Sequence, residues 1–286
     1  MVRLTVLGSG SSGNCAVVST GRTTVLVDAG LSAKQICLRL AAAGYTLDQI
    51  DGILLTHEHQ DHTNGLEVLS SKRPLPLYAT ALTREVLESH LKFRTPPAWR
   101  LMTTGSAFDF QDLRIECFPV PHDAVDPVGF VLADEESRLG LLSDVGFVTN
   151  LIKDRLKTSD SLFVEANYDT QLLDADVKRP WATKQRISSR HGHLSNEQAA
   201  ELIESIAHPG LHHVVLGHLS DDCNQPDRAI RCIQESLKRV GNTETKVLCA
   251  ERRCHTQTIE VARRRVVISL SVSASTTTVQ QQLALF

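Results

Sequence analysis

Residues 56–62 read Thr-His-Glu-His-Gln-Asp-His and follow directly on the apolar run Ile53-Leu54-Leu55. A short apolar run bounded by polar residues reads as a buried strand, so the cluster lies on the loop leaving that strand. His57 and His59 are two apart and can both turn inward from an extended backbone. Asp61 and His62 follow on the next turn and can face a second ion. Imidazole and carboxylate donors suit zinc, manganese or iron, whereas a soft site would need thiolates. The competing reading, a polar loop with chance histidines, is weakened by further donors downstream.

Those donors recur in one context. His122 follows the run 113–120 and sits between Pro121 and Asp123. Asp144 ends the run 139–143, with Gly146 just after it. His218 ends the run 213–216. Each donor therefore leaves an apolar strand, and strand ends can deliver them all to one edge of the fold. Further strand-like runs lie at 4–7, 24–27, 77–79, 128–133, 161–165 and 246–249, separated by turn residues. Helical patterns lie at 32–43, 83–90, 149–157, 195–207 and 227–239. Ser195 can cap the fourth of these, with Glu197 in its first turn. There is no repeat of solenoid period. Strands in consecutive runs with helices between and after them predict two sheets packed face to face with helices outside.

Composition sets limits. A chain of 286 residues with 42% hydrophobic content can bury one large core or two small ones. The formal net charge of -3 gives no global basic field, so nucleic-acid binding must rest on local patches. The start reads as a strand rather than a signal peptide, and no apolar stretch is long enough to cross a bilayer. Seven scattered cysteines without a C-x-x-C pair fit a reduced, cytoplasmic protein with mostly buried thiols. Cys249, Cys254 and His255 have poor spacing for a metal knuckle. The expected division is a catalytic domain over 1–265 and a polar, flexible tail over 266–286 that turns apolar again at its end.

The pattern H-x-H-x-D-H followed by a distant His, Asp and His resembles the metallo-β-lactamase superfamily over roughly residues 1–260. The resemblance implies a four-layer αββα sandwich, of α/β class, with a binuclear metal centre at one edge. His57, His59 and His122 would hold one ion, Asp61, His62 and His218 the other, and Asp144 would bridge them. The cofactors implied are two divalent ions per chain, Mn²⁺ or Zn²⁺. The stretches 7–14, 27–32, 56–62, 165–169, 192–197 and 217–220 further resemble the YycJ/WalJ (VicX) group, regarded as 5′-to-3′ exodeoxyribonucleases linked to DNA repair. The glycines of 8–13 lack the βαβ context of a dinucleotide fingerprint. Related members place a histidine before a helix and a His-x-Ser after the next strand, positions that match His193 and His218. That comparison makes His218 a ligand. It leaves His193 as proton donor to the leaving oxygen, or else as a residue that caps or packs against the following helix. Neither the insertion of the β-CASP nucleases nor a long tRNA-processing arm has room here.

Substrate contacts are expected from the basic stretch 178–186, where Trp181, Lys184 and Arg186 combine cations with an aromatic face. A solvated loop with Trp181 packed inward is the competing reading. Ser11, Ser12 and Asn14 could line the cleft near phosphate. The last five residues, with Gln282, Leu283, Leu285 and Phe286, resemble the Q-L-x-L-F peptide by which bacterial polymerases and repair proteins bind the sliding clamp. The expected partners are single-stranded DNA or 5′ ends and that clamp, with no membrane. Two other readings remain: a metallohydrolase of a small thioester, lactone or cyclic phosphodiester, and a clamp-bound adaptor with a structural metal site. The shared ligand set does not separate the enzyme readings.

Overall fold

The computed structural model describes residues 1–261. The first half contributes β1 (Val2–Gly8), β2 (Cys15–Ser19), β3 (Thr24–Val27), β4 (Gly52–Leu54), β5 (Pro76–Ala79) and β6 (Ala98–Leu101). Between them run α1 (Ala33–Ala42), α2 (Gln60–Thr63), α3 (Leu66–Lys72) and α4 (Ala81–His90). The second half contributes β7 (Ala107–Phe110), β8 (Leu113–Pro119), β9 (Val128–Ala133), β10 (Arg138–Leu142), β11 (Ser161–Glu165), β12 (His213–Gly217) and β13 (Lys246–Cys249). Its helices are α5 (Asn150–Leu156), α6 (Thr170–Ala175), α7 (Trp181–Ile187), α8 (Asn196–Ile206) and α9 (Pro226–Arg239). Strand β14 (Ile259–Val261) returns to pair with β1. The result is two seven-stranded sheets, ordered β14-β1-β2-β3-β4-β5-β6 and β13-β12-β11-β10-β9-β8-β7.

Side-chain alternation along each strand builds three cores between four layers. Val25 and Val27 of β3 face the second sheet, while Leu26 between them faces α1 and α3. Leu139 and Leu141 of β10 face the first sheet, and Leu142 turns to the helices on the other side. Ile36, Leu40, Leu66 and Leu69 cover the outer face of the first sheet. Ile152, Leu202, Ile203 and Ile233 cover that of the second. A strand buried on both faces has no polar side to show, which is why these strands read as continuous apolar runs. The αββα sandwich implied by the resemblance is the observed fold.

Strand direction then fixes where the donors meet. β3, β4, β5 and β6 are parallel, as are β10, β11, β12 and β13. β8 and β10 are both antiparallel to β9 and so run the same way as each other. The carboxyl ends of β3, β4, β8, β10, β11 and β12 lead to Asp28, His57, His122, Asp144, Glu165 and His218. β1 passes into an antiparallel β2 rather than a helix, which removes the dinucleotide reading of the glycine loop.

All seven cysteines are free thiols; Cys15, Cys117 and Cys223 are buried and Cys254 is exposed. Among the described residues no helix is long and apolar enough to cross a membrane. The tail with Gln282, Leu283, Leu285 and Phe286, and the expected boundary at 265/266, lie outside the described residues.

Candidate metal centre

Three of the four non-glycine residues with positive φ among the described residues stand at this edge: Asp28 (φ 60), Asp144 (φ 54) and His218 (φ 54). Left-handed backbone is costly for residues with a Cβ and persists where surrounding structure enforces it. Here it ends β3, β10 and β12 abruptly and redirects the next side chain. Gly30 holds the neighbouring loop down: a Cβ there would lie 1.6 Å from the Asp61 carbonyl oxygen.

Four overlapping donor groups result, each with its ligand atoms within 4.8 Å of one another: His57, His59 and His122; Asp61, His62 and His218; His57, His62 and Asp144; and Asp144, Glu165, His193 and His218. Asp144 stands between the first two. Its Oδ2 lies 3.0 Å from His62 Nε2, and its Oδ1 lies 3.9 Å from His122 Nε2 and 3.3 Å from His218 Nδ1. His57, His62, His122, Asp144 and His218 are buried.

The remaining polar atoms of these side chains are anchored. His122 Nδ1 donates to the Gly192 carbonyl at 2.9 Å, which aims Nε2 at the other histidines. His62 Nδ1 pairs with Asp28 Oδ2 at 2.7 Å, and the same carboxylate accepts from the Thr56 amide at 2.9 Å. His218 Nδ1 lies 2.9 Å from Glu165 Oε1, and Asn167 Nδ2 donates to the His218 carbonyl at 2.9 Å. Carboxylate–histidine pairs of this kind fix tautomer and ring orientation in metal sites. Asp28 and Glu165 were not assigned roles from sequence. Each ends an apolar strand run just as the donors do, and that shared position was the available signal.

The donor chemistry fits divalent metal. His57 Nε2 and His122 Nε2 are buried and have no hydrogen-bond partner, an arrangement that costs free energy unless an electrophile takes the lone pair. Burial, reinforced by the neighbouring histidines, pushes His57 well below the ordinary imidazole value; burial also lowers His122. Both are therefore neutral donors. For His62 and His218 burial acts in the same direction, but Asp144 and the other carboxylates outweigh it, carrying His218 to about 10. Protons here balance buried carboxylates, and cations would displace them.

His193 lies outside the two triads that pair His57, His59 and His122, and Asp61, His62 and His218, but shares the fourth group with Asp144, Glu165 and His218. Burial opposes its protonation, yet Glu165 and Asp144 raise its pKa overall. Its Nδ1 lies 2.7 Å from Glu165 Oε1, while Glu165 Oε2 accepts from the amides of Val145 and Leu194 at 2.9 and 3.2 Å. Ser195 caps α8, accepting from the Gln198 amide, and the Gln198 side chain returns the bond to the Ser195 amide. Such a cap contributes about 1 kcal/mol and fixes the chain just after His193. The cap belongs to Ser195, so of the competing reading, that His193 caps or packs against this helix, the capping half does not apply.

The expected substrate residues divide. Asn14 is buried, accepts from Ser9 Oγ at 3.0 Å and places its Nδ2 3.1 Å from His62 Nε2. It buttresses the donor loop from within. Ser11 and Ser12 are exposed, and Ser12 Oγ accepts from Arg252 Nε. The basic stretch is not a loop but largely α7, whose last turn packs against the His193 segment; the His193 amide donates to the Ile187 carbonyl at 2.8 Å. Arg186 Nε donates to Asp123 Oδ2 at 2.6 Å, next to His122, and Lys184 Nζ donates to the Asp174 carbonyl at 2.8 Å. Trp181 is 69% exposed, so it is not packed inward.

Two facing sheets with a His/Asp cluster at the carboxyl ends of their strands define a hydrolase of metallo-β-lactamase type. The chain belongs to the metallo-β-lactamase superfamily and, within it, to the YycJ/WalJ group: residues 23–219 match the family described as "Beta-lactamase superfamily domain", and two close relatives carry those names. It is similar to Exodeoxyribonuclease YycJ of Bacillus anthracis, 35% identical over 84% of this chain and 90% of that protein. It is 36% identical to Exodeoxyribonuclease WalJ of Streptococcus pneumoniae over 78% of this chain and 83% of that one. The fold is shared with the metallo-beta-lactamase fold protein YhfI of Bacillus subtilis (TM-score 0.69, 15% identity, 90% of this chain and 99% of that one). It is also shared with the short form of human tRNase Z (TM-score 0.62, 19% identity, 91% and 99%).

Proposed function

We propose that the protein is a 5′-to-3′ exodeoxyribonuclease that prefers single strands, uses two divalent ions, Mn²⁺ or Zn²⁺, and acts in the cytoplasm in DNA repair. The observation that carries this reading is the coexistence of a complete His/Asp donor set with a separate histidine, His193, held by a buried carboxylate beside it. A structural metal site needs no such extra group. The names of the YycJ and WalJ relatives supply the substrate class.

In this reading His57, His59 and His122 would hold one ion and Asp61, His62 and His218 the other, with Asp144 within reach of both groups. Divalent ions held there would lower the pKa of a water and offset charge on phosphoryl oxygens in the transition state. Asp28 and Glu165 keep His62 and His218 turned toward the site. His193, with Nδ1 occupied by Glu165, delivers the proton on Nε2 to the departing 3′ oxygen as its bond to phosphorus breaks. The histidine must enter the step charged, and the Glu165 carboxylate favours that form.

The reading is tested on a panel of single-stranded DNA, duplex DNA, RNA, a small thioester and a lactone. Hydrolysis of single-stranded DNA that stops on chelation and returns with Mn²⁺ or Zn²⁺ supports it. Turnover of the thioester or lactone with DNA left intact assigns the other hydrolase reading.

We also propose that the residues Gln282, Leu283, Leu285 and Phe286 tether the enzyme to the sliding clamp, their apolar side chains filling a pocket on that partner. Removing 282–286 is expected to abolish co-migration with purified clamp while leaving hydrolysis of a short oligonucleotide unchanged. Clamp binding that survives the truncation would refute the tether.

A further inference from the structure

Trp181 is the one aromatic side chain among the strongly exposed large hydrophobics of the described residues, at 69%, and neighbouring Val177 is exposed at 95%. A single exposed apolar side chain is ordinary. What distinguishes Trp181 is the element that carries it. It opens α7, whose closing residues build the wall of the metal centre: the Ile187 carbonyl accepts from the His193 amide, and Arg186 is paired with Asp123 beside His122. Gly192, whose carbonyl orients His122, packs so closely on this turn that a Cβ would meet the Arg186 and Ile187 carbonyl oxygens at 2.2 Å. Helical rise puts Trp181 about 9 Å along the axis from Ile187. Trp181 therefore stands nearly two helical turns from the residues that border the centre.

Charge alone would not hold a strand here. Lys178 and Arg179 are paired with Asp222 and Asp176, and Arg190 lies over the Phe147 ring at 4.1 Å. An exposed indole offers what these paired cations do not, a flat face on which any base can stack. We propose that Trp181 is a stacking platform for a base of single-stranded DNA one or more nucleotides from the bond being hydrolysed. This rests on the nuclease reading and adds the residue that grips the strand. It explains a preference for unpaired DNA, since a base within a duplex has no free face to offer.

The test compares Trp181→Ala, Trp181→Leu and Trp181→Phe in the metal-loaded full chain, on a single-stranded oligonucleotide and on bis(p-nitrophenyl) phosphate, which carries no neighbouring nucleotide to be gripped. Trp181→Ala and Trp181→Leu are expected to raise KM for the oligonucleotide on the order of tenfold or more. Trp181→Phe is expected to recover most of the loss. In all three, kcat and small-diester hydrolysis are expected to hold. Unchanged oligonucleotide kinetics in Trp181→Ala, or full recovery in Trp181→Leu, would overturn the proposal while leaving the nuclease reading intact. A wild-type protein that hydrolyses the small diester but no DNA would remove the nuclease reading, and this proposal with it.

Discussion

Asp144→Asn is expected to lower phosphodiester hydrolysis on the order of ~10³-fold or more and to reduce the bound metal from two ions to one or none. The reason is positional. One Asp144 oxygen faces His62 and the other faces His122, so the side chain spans both donor groups. In the proposed two-ion reading, losing that charge removes the group that would keep the cations close, and paired ions contribute several kcal/mol to the transition state, each 1.36 kcal/mol being a factor of ten. Asparagine is preferred to alanine because Asp144 has φ 54, a conformation asparagine tolerates. A fall in stability then does not obscure the result. Elemental analysis of the purified variant, read beside its rate and its melting curve, checks this. A folded variant with two ions and an undiminished rate would show that Asp144 does not bridge.

His193→Ala is expected to behave differently: two ions retained, and kcat on DNA lowered ~10²–10⁴-fold, the usual contribution of a general acid. The leaving group sharpens the test. A 3′ oxygen needs a proton as it departs, whereas p-nitrophenolate leaves as a stable anion. The variant should therefore be far less impaired on bis(p-nitrophenyl) phosphate than on DNA. Equal impairment on both, or loss of metal, would place His193 in ligand binding instead. Glu165→Gln is a less selective probe, since its Oε1 serves both His193 and His218.

How much of this was legible in the sequence depended on what surrounds each segment. β3, β9 and β11 coincide with the apolar runs 24–27, 128–133 and 161–165, because a strand covered on both faces leaves an unbroken apolar signature. β2 was missed although it is buried throughout: Cys15 to Ser19 mixes small and polar side chains, and the glycine loop before it drew attention to the turn. β6 and β7 were missed for a different reason. Both are short edge strands with no fully buried residue; β6 shows no apolar alternation, and in β7 it is confined to Phe108-Asp109-Phe110, too short to stand out. No helix is expected over the basic stretch 178–186, since the apolar stripe that announces a helix is absent there and no residue of α7 is buried.

At the site, the His/Asp cluster was legible because metal chemistry restricts residue type and because its segments follow strands. The supporting carboxylates were not, since one aspartate after β3 and one glutamate ending β11 look like any polar residue at a strand end. Only the folded chain brings Asp28 to His62, and Glu165 to both His193 and His218. The left-handed backbone at Asp28, Asp144 and His218 falls on residue types that tolerate it, but only the packing of the folded chain says which of the many Asp and His residues adopt it.

The most direct test follows single-stranded DNA labelled at one end or the other, incubated with the Mn²⁺- or Zn²⁺-loaded protein and, in parallel, with Asp144→Asn. A 5′-to-3′ exonuclease releases the 5′ label at once as a mononucleotide, shortens the 3′-labelled strand stepwise, and loses both with the aspartate. DNA that stays intact under every metal tested, while a small thioester or lactone is turned over, would contradict the assignment.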